Sequence, residues 1–344
     1  MSNIRTANNS DFIKLMDSYS NKDINKFRKL IDEGININCL NSDGKSFISC
    51  MLRQDHDDIM DEFLSILLKN NVSLKQIGVE KSLLNIVIKH HDNTSCLEKL
   101  LKNNININNF GVYKISTHGY KDCPAIFQAI DKENHNVIDL LLKYNVDLNI
   151  ENQYGETPLL FLLKGGFFYK YLKSSVFIME KLLENGADAD ILGEDGDTAI
   201  HYMVRYPHFS DMFEVLFKYK HNININAKNR YSNTALREAV KYGNSQAVEF
   251  LIKKGANLNI QDMHGFTAAM LAVNINSIQI LSFILKQSPD LSIVNDNGDN
   301  ILHILAKSRK HKKYKMQYFD QISESHPELL NTKNSKGQLP CALL

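Results

Sequence analysis

The chain has almost no net charge: 40 Lys and Arg stand against 39 Asp and Glu in 344 residues. A field over the whole molecule that would draw it to nucleic acid or an anionic membrane is excluded, so any electrostatic attraction has to be local. Long apolar runs are missing as well. The longest stretches, such as Ile280–Leu285, fall far short of the roughly 20 residues a membrane helix needs. The polar opening Met1–Ser10 has no apolar segment of the kind a secretory leader carries. Cysteine is sparse: Cys39, Cys50, Cys96, Cys123 and Cys341 are scattered, odd in number and never at CxxC spacing. That distribution predicts reduced thiols and a cytoplasmic setting. Strings that cradle phosphates, build a nucleophile elbow or hold zinc are absent, so no catalytic residue, no metal and no cofactor is predicted.

What is present is repetition. The segments beginning Asn229-Arg-Tyr-Ser-Asn-Thr234, Asp262-Met-His-Gly-Phe-Thr267 and Asn295-Asp-Asn-Gly-Asp-Asn300 align without gaps, with Thr234, Thr267 and Asn300 spaced 33 apart. Thr198 and Thr157 continue the series upstream at steps of 36 and 41, and Cys123, Ser82 and Ser46 take the same place before them. A hydroxyl at this position can cap a helix start. A second landmark follows each unit: Gly34, Asn104, Asn145, Gly186, Asn222 and Gly255 each open a segment with apolar and Asn or Asp residues alternating. Gly and Asn are the residues a helix end in the left-handed region requires. Between the landmarks at 229–261, Leu236, Ala239 and Val240 make one apolar stripe, Gly243-Asn244 a turn, and Val248, Leu251 and Ile252 a second stripe. Neither helix is long enough to be stable alone, so the units must stack.

Thr157-Pro158-Leu159, Thr198-Ala199-Ile200-His201, Ile301-Leu302-His303, Gly186-Ala187-Asp188 and Gly255-Ala256-Asn257 resemble the signature of the ankyrin repeat. The resemblance implies an all-α ankyrin-repeat solenoid of about nine repeats plus a partial C-terminal one, with loop insertions. Expected divisions are an N-terminal capping repeat (1–42), divergent repeats with an insertion (43–122), well-matched repeats (123–299) and a divergent C-terminal repeat with a partial cap (300–344). Ser10 reads as the cap of the first helix, Cys123 as a cap residue, and His201 and His303 as supports of their helix starts. Insertions at 109–122 and 165–175 read as loops.

Such a family binds proteins through its loop tips and the exposed side of its first helices. Transferred to this chain, the resemblance implies contacts at Tyr154, Glu156, Arg230, Tyr231, Met263, His264 and Phe266 on the tips. Arg205, Tyr206, Lys241 and Tyr242 follow at first-helix ends, and Phe167, Phe168 and Tyr169 in the second insertion. Tyr, Phe, Met and Arg dominate interface energetics, although single exposed aromatics are ordinary on any surface. A basic run supplies an alternative: Lys307, Arg309, Lys310, Lys312, Lys313 and Lys315 could meet anionic lipid, nucleic acid or an acidic partner, or form a solvated loop. The expected function is a monomeric adaptor that binds a protein partner. Its composition and repeats suit an effector of an intracellular bacterium or a poxvirus host-range protein, acting in host cytoplasm or nucleus. The other reading is the targeting module of an enzyme whose catalytic part lies elsewhere.

Overall fold

The computed structural model describes residues 2–54, 57–74, 82–90, 94–115, 119–164, 168–205, 210–220, 222–308 and 312–344. They fall in two compact units, Met1–Gly165 and Gly166–Leu344. In the first, helices run in pairs: α1 (Ser2–Ser20) with α2 (Ile24–Asp32), α3 (Phe47–Met51) with α4 (Asp57–Lys69), α5 (Leu83–His90) with α6 (Thr94–Lys102), and α7 (Ala125–Asp131) with α8 (His135–Lys143). It ends on α9 (Pro158–Lys164). The second unit opens with α10 (Phe168–Glu184) and continues as α11 (Ala199–Met203) with α12 (Ser210–Tyr219), α13 (Ala235–Lys241) with α14 (Ser245–Lys253), α15 (Ala268–Asn274) with α16 (Ile278–Leu285), and α17 (Ile301–Lys307) with α18 (Lys312–Ser325). Short 3₁₀ turns at Pro327–Asn331 and Pro340–Leu343 close it.

The two helices of a pair bury different amounts of surface, and their sequences say why. The first helices α7 and α15 are short and buried nearly all round: every residue of Ala268–Val273 and of Ala125–Ile130 is buried. Such a helix touches its own partner and the first helix of each neighbouring repeat, as α15 does with α16, α13 and α17. Second helices need one stripe only, such as Val137, Ile138 and Leu141 in α8 or Ala247, Val248 and Leu251 in α14. At the N-terminal end Phe12, Tyr19, Phe27, Phe47 and Phe63 form a chain of edge and tilted ring contacts, with centroids 4.6 to 6.2 Å apart.

The landmarks do their expected work. Ser46, Thr157, Thr234, Thr267 and Asn300 each accept a hydrogen bond from the backbone N–H three residues on. Gly34, Asn104, Asn145, Gly186 and Gly255 all have positive φ, between 56° and 94°. The segments after them form a ladder between repeats. Asn38 accepts from the Ser73 N–H at 2.7 Å, Asn108 from Asp147 at 3.0 Å, Asn226 from Asn257 at 2.8 Å and Asn259 from Asp290 at 2.9 Å. The recurrent Asn thus satisfies a backbone donor of the next unit, a second reason for its repetition.

Four expectations need correction. Helix α1 starts at Ser2, so Ser10 lies inside it, because the polar residues before Ser10 continue the helix instead of preceding it. The cap of α7 is Pro124, not Cys123, which is buried at the end of a strand. Within the insertion at 109–122, β1 (Gly111–Ile115) pairs antiparallel with β2 (Gly119–Cys123), a two-stranded addition to the helices among the described residues. Gly111 is required there: a Cβ would lie 2.6 Å from Asn85 Oδ1. Of the 165–175 insertion, the part from Phe168 onward is helical, because it extends α10 by two turns.

Candidate functional site

Repeats project a tip just before the capping residue, and in several of them one side chain shapes it. Asn152 Oδ1 accepts the N–H groups of Tyr154 and Glu156, at 2.8 and 3.1 Å. Asn229, Asp262, Asn295 and Asn334 do the same two and four residues on, at 2.8 to 3.0 Å. These Asx turns fix the backbone and leave the two middle residues of each tip pointing to solvent. Arg230 still donates to the Glu194 carbonyl of the preceding tip. Tyr154 is 36% exposed, Tyr231 48% and Met263 58%; Arg230 and His264 are exposed beside them, and Phe266 is half-buried.

Neighbouring tips in the second unit are stitched by backbone bonds: Arg230 N–H to Asp195 O at 3.0 Å, Asp296 to His264 at 3.2 Å and Ser335 to Asn297 at 2.9 Å. The glycine of each receiving tip permits this approach. A Cβ on Gly196, Gly265 or Gly298 would lie 2.8 to 2.9 Å from backbone atoms of the next tip.

A second row of exposed side chains lies at the ends of the first helices. Tyr242 and Ile275 are the residues immediately after α13 and α15, and keep 50% and 37% exposure. Both stand eight residues after a cap. Ile275 was missed in the sequence because it is not aromatic, although its register with Tyr242 identifies it. Lys241 lies over the Tyr242 ring, 5.4 Å from its centroid.

Three of the expected contact residues are instead committed to internal ion pairs, which corrects their reading as free surface. Glu156 is 4% exposed, bonded to the Asn152 amide at 2.8 Å and paired with Lys164 at 2.8 Å. Arg205 holds the buried Asp197 carboxylate, and its Nε lies 3.7 Å from Glu238 Oε2 in the next repeat. Lys307 holds the buried Asp299 at 2.5 Å. One rule connects them: an acid just before the cap pairs with a base seven residues after it. Burial makes such an acid expensive to leave alone, so the base is conscripted. Where the acid is absent, as at Asn233, Lys241 turns to Glu238 at 3.9 Å, and Arg237 takes Asp262 of the next repeat.

The histidines are structural too. His201 Nδ1 accepts the Thr198 N–H at 3.3 Å while Nε2 donates to Asn233 O of the next repeat at 3.0 Å. His303 repeats the second contact with Gln338 O at 3.0 Å. Asn85 stands at the same position and reaches Cys123 O at 3.5 Å. Burial holds the His201 imidazole below its ordinary range, against the opposing pull of its Asn233 bond and of Asp197 and Glu238.

Phe167, Tyr206, Arg309 and Lys310 lie outside the described residues, as do the side chains of Phe168, Tyr169, Lys312, Lys313 and Lys315. Among the described residues there is no group of three His, Cys, Asp or Glu placed to hold a metal, and no helix long and apolar enough to cross a membrane. Cys39 is buried, and desolvation, with a smaller push from Asp11, raises its thiol to about 12, far from a nucleophilic state.

Comparison with known proteins agrees with this geometry. The family model described as ankyrin repeats in three copies matches residues 170–262. Two ankyrin repeat proteins of Acanthamoeba polyphaga mimivirus are similar. One is 25% identical over 126 residues, 36% of this chain and 15% of that protein. The other is 37% identical over 90 residues, 25% of this chain and 20% of that protein. The matched segments thus span a fifth or less of those relatives. Among solved structures, the ankyrin repeat domain of Bcl-3, a member of the IkappaB protein family, aligns with a TM-score of 0.53 at 21% identity, covering 63% of this chain and 92% of that one. At that identity the likeness speaks for the fold alone.

Proposed function

We propose, for a chain that belongs to the ankyrin-repeat family, that it is an adaptor whose tips and first-helix ends bind a protein partner. Ankyrin repeats are in general protein–protein interaction modules. The observation that carries the reading here is positional. Large apolar side chains stay exposed on successive repeats, Tyr242 and Ile275 at the same place on adjacent helix ends, and Tyr231 and Met263 on adjacent tips one position apart in register. Packing gives no reason for them, since the tips are held by Asx turns and the helices by their buried faces. Rigid turns and helices also leave little ordering entropy to lose on binding.

Alanine at Tyr231, Tyr242 and Met263 together removes three half-exposed side chains and none from the buried core. Partner capture from a host lysate, read by mass spectrometry against the parent chain, is expected to lose its specific bands while the thermal midpoint stays within a few degrees. Unchanged capture by a folded triple variant refutes this choice of face. The mimivirus relatives favour a viral protein acting inside its host over a bacterial effector, and a cytoplasmic setting agrees with the scattered thiols.

A further inference from the structure

The exposed charge on this face has one sign, and from it we infer that the two repeats spanning 226–276 take an acidic partner segment with apolar residues among its carboxylates. This inference rests on the adaptor reading and specifies the partner's chemistry. On the tips and first helices of these repeats the anions are Glu238 and Asp262, and both are buried, 2% and 7% exposed. Asp262 is held by Arg237 at 2.8 Å through Nε, and Glu238 by the Asn233 amide at 2.6 Å with Arg205 and Lys241 beside it. The cations are less fully neutralised: Arg230 donates to the Glu194 carbonyl and Lys228 to the Gln261 carbonyl at 3.3 Å, both uncharged acceptors, while Lys241 stands 3.9 Å from Glu238. Arg230 keeps 62% of its side chain exposed and Lys241 50%, and Lys228 is exposed as well.

These cations alternate with the apolar side chains: Arg230 adjoins Tyr231 on one tip, and Lys241 adjoins Tyr242 on the helix end. The neighbouring tips have the opposite sign. Glu194 and Asp195 are exposed on one side and Asp296 on the other, with Asp195 reaching Arg230 only at 4.0 Å. An acidic segment is therefore attracted to the middle of the face and repelled at both edges, which fixes where it lies. Apolar burial against Tyr231, Tyr242 and Met263 supplies affinity, and the charges supply selection and register.

The test uses the full chain, immobilised, and a random twelve-residue peptide library displayed on phage. The expected outcome is enrichment of peptides combining Asp or Glu with aromatic or aliphatic residues. Their binding should weaken about tenfold on Lys228→Gln with Arg230→Gln, the effect of removing two partly exposed charges worth about 1.4 kcal/mol together. It should also fall with added salt in the parent and less steeply in that variant. Enrichment of neutral or basic peptides that still need Tyr231, Tyr242 and Met263 overturns the charge assignment and leaves the adaptor face standing. Acidic peptides indifferent to both sets of substitutions, or no enrichment at all, overturn the inference at this face. Thermal melting confirms that each variant is folded.

Discussion

At the scale of single residues, the side chains closest to a chemical motif turn out to be joints between repeats. His201 sits where a turn histidine invites thoughts of a ligand, yet both ring nitrogens are spent, one on its own helix start and one on the next repeat. The bonding requires a neutral ring with Nδ1 as acceptor, and protonation would destroy that acceptance. Because burial lowers the folded-state pKa from 6.5, the unfolded chain binds this proton more tightly. Its contribution to stability is thus fully present above pH 6.5 and is lost as pH falls below it. Urea unfolding at pH 7.5 and 5.5 should show the parent losing more of its midpoint than His201→Gln. At pH 7.5 the variant itself should cost about 1 kcal/mol, the worth of an ordinary hydrogen bond. Equal slopes in the two proteins would show that His201 does not titrate differently on folding.

At the scale of elements, the stack is fastened at two levels: Asn side chains under the second helices and backbone bonds between tips. Glycine makes the second possible, and two glycines with the same backbone separate its two roles. Gly265 has φ +76° and would place a Cβ 2.8 Å from Asn295 and Asp296, whereas Gly337 has φ +73° and nothing within 4 Å. Ala at Gly337 meets only the left-handed penalty of roughly 1 kcal/mol. Ala at Gly265 adds a clash with backbone and is expected to cost about 3 kcal/mol in all, since crowding against a packed chain costs roughly 1–3 kcal/mol more. Denaturant midpoints of the two variants measure the difference directly. The capping and glycine landmarks were legible in sequence because they act within a few residues. The tip glycines were not legible as spacers, because what they admit lies about 33 residues away, in the next repeat. The two strands within 111–123 were hidden for a related reason: a loop-length insertion shows its size in the sequence, while strand pairing depends on a partner strand no local pattern announces.

At the scale of the whole molecule, the sequence yielded the repeat plan readily because the same local solution recurs along the chain. The candidate surface was legible only in part. Tyr231, Tyr242 and Met263 were found as aromatic or Met residues out of pattern, but Glu156 and Arg205 were placed on it, and Lys307 in the basic run, although internal acids or bases claim them. A charged residue at a tip or helix end looks free until the acid that claims it, eight positions off, is seen to be buried. Those pairs also bear on how the protein comes apart. In stacked repeats stability is close to a sum of nearest-neighbour terms, so damage at one junction should stay near it. Arg237, 16% exposed, is the partner of the nearly buried Asp262 across one junction. Arg237→Met keeps the stem and strands the carboxylate, a loss of about 3 kcal/mol by the usual cost of breaking a buried pair. Hydrogen exchange read by mass spectrometry should then quicken in peptides covering 229–276 and stay at parent rates through the unit Met1–Gly165. Acceleration spread evenly over the chain would instead mark a single cooperative fold, in which no repeat can loosen without all the others.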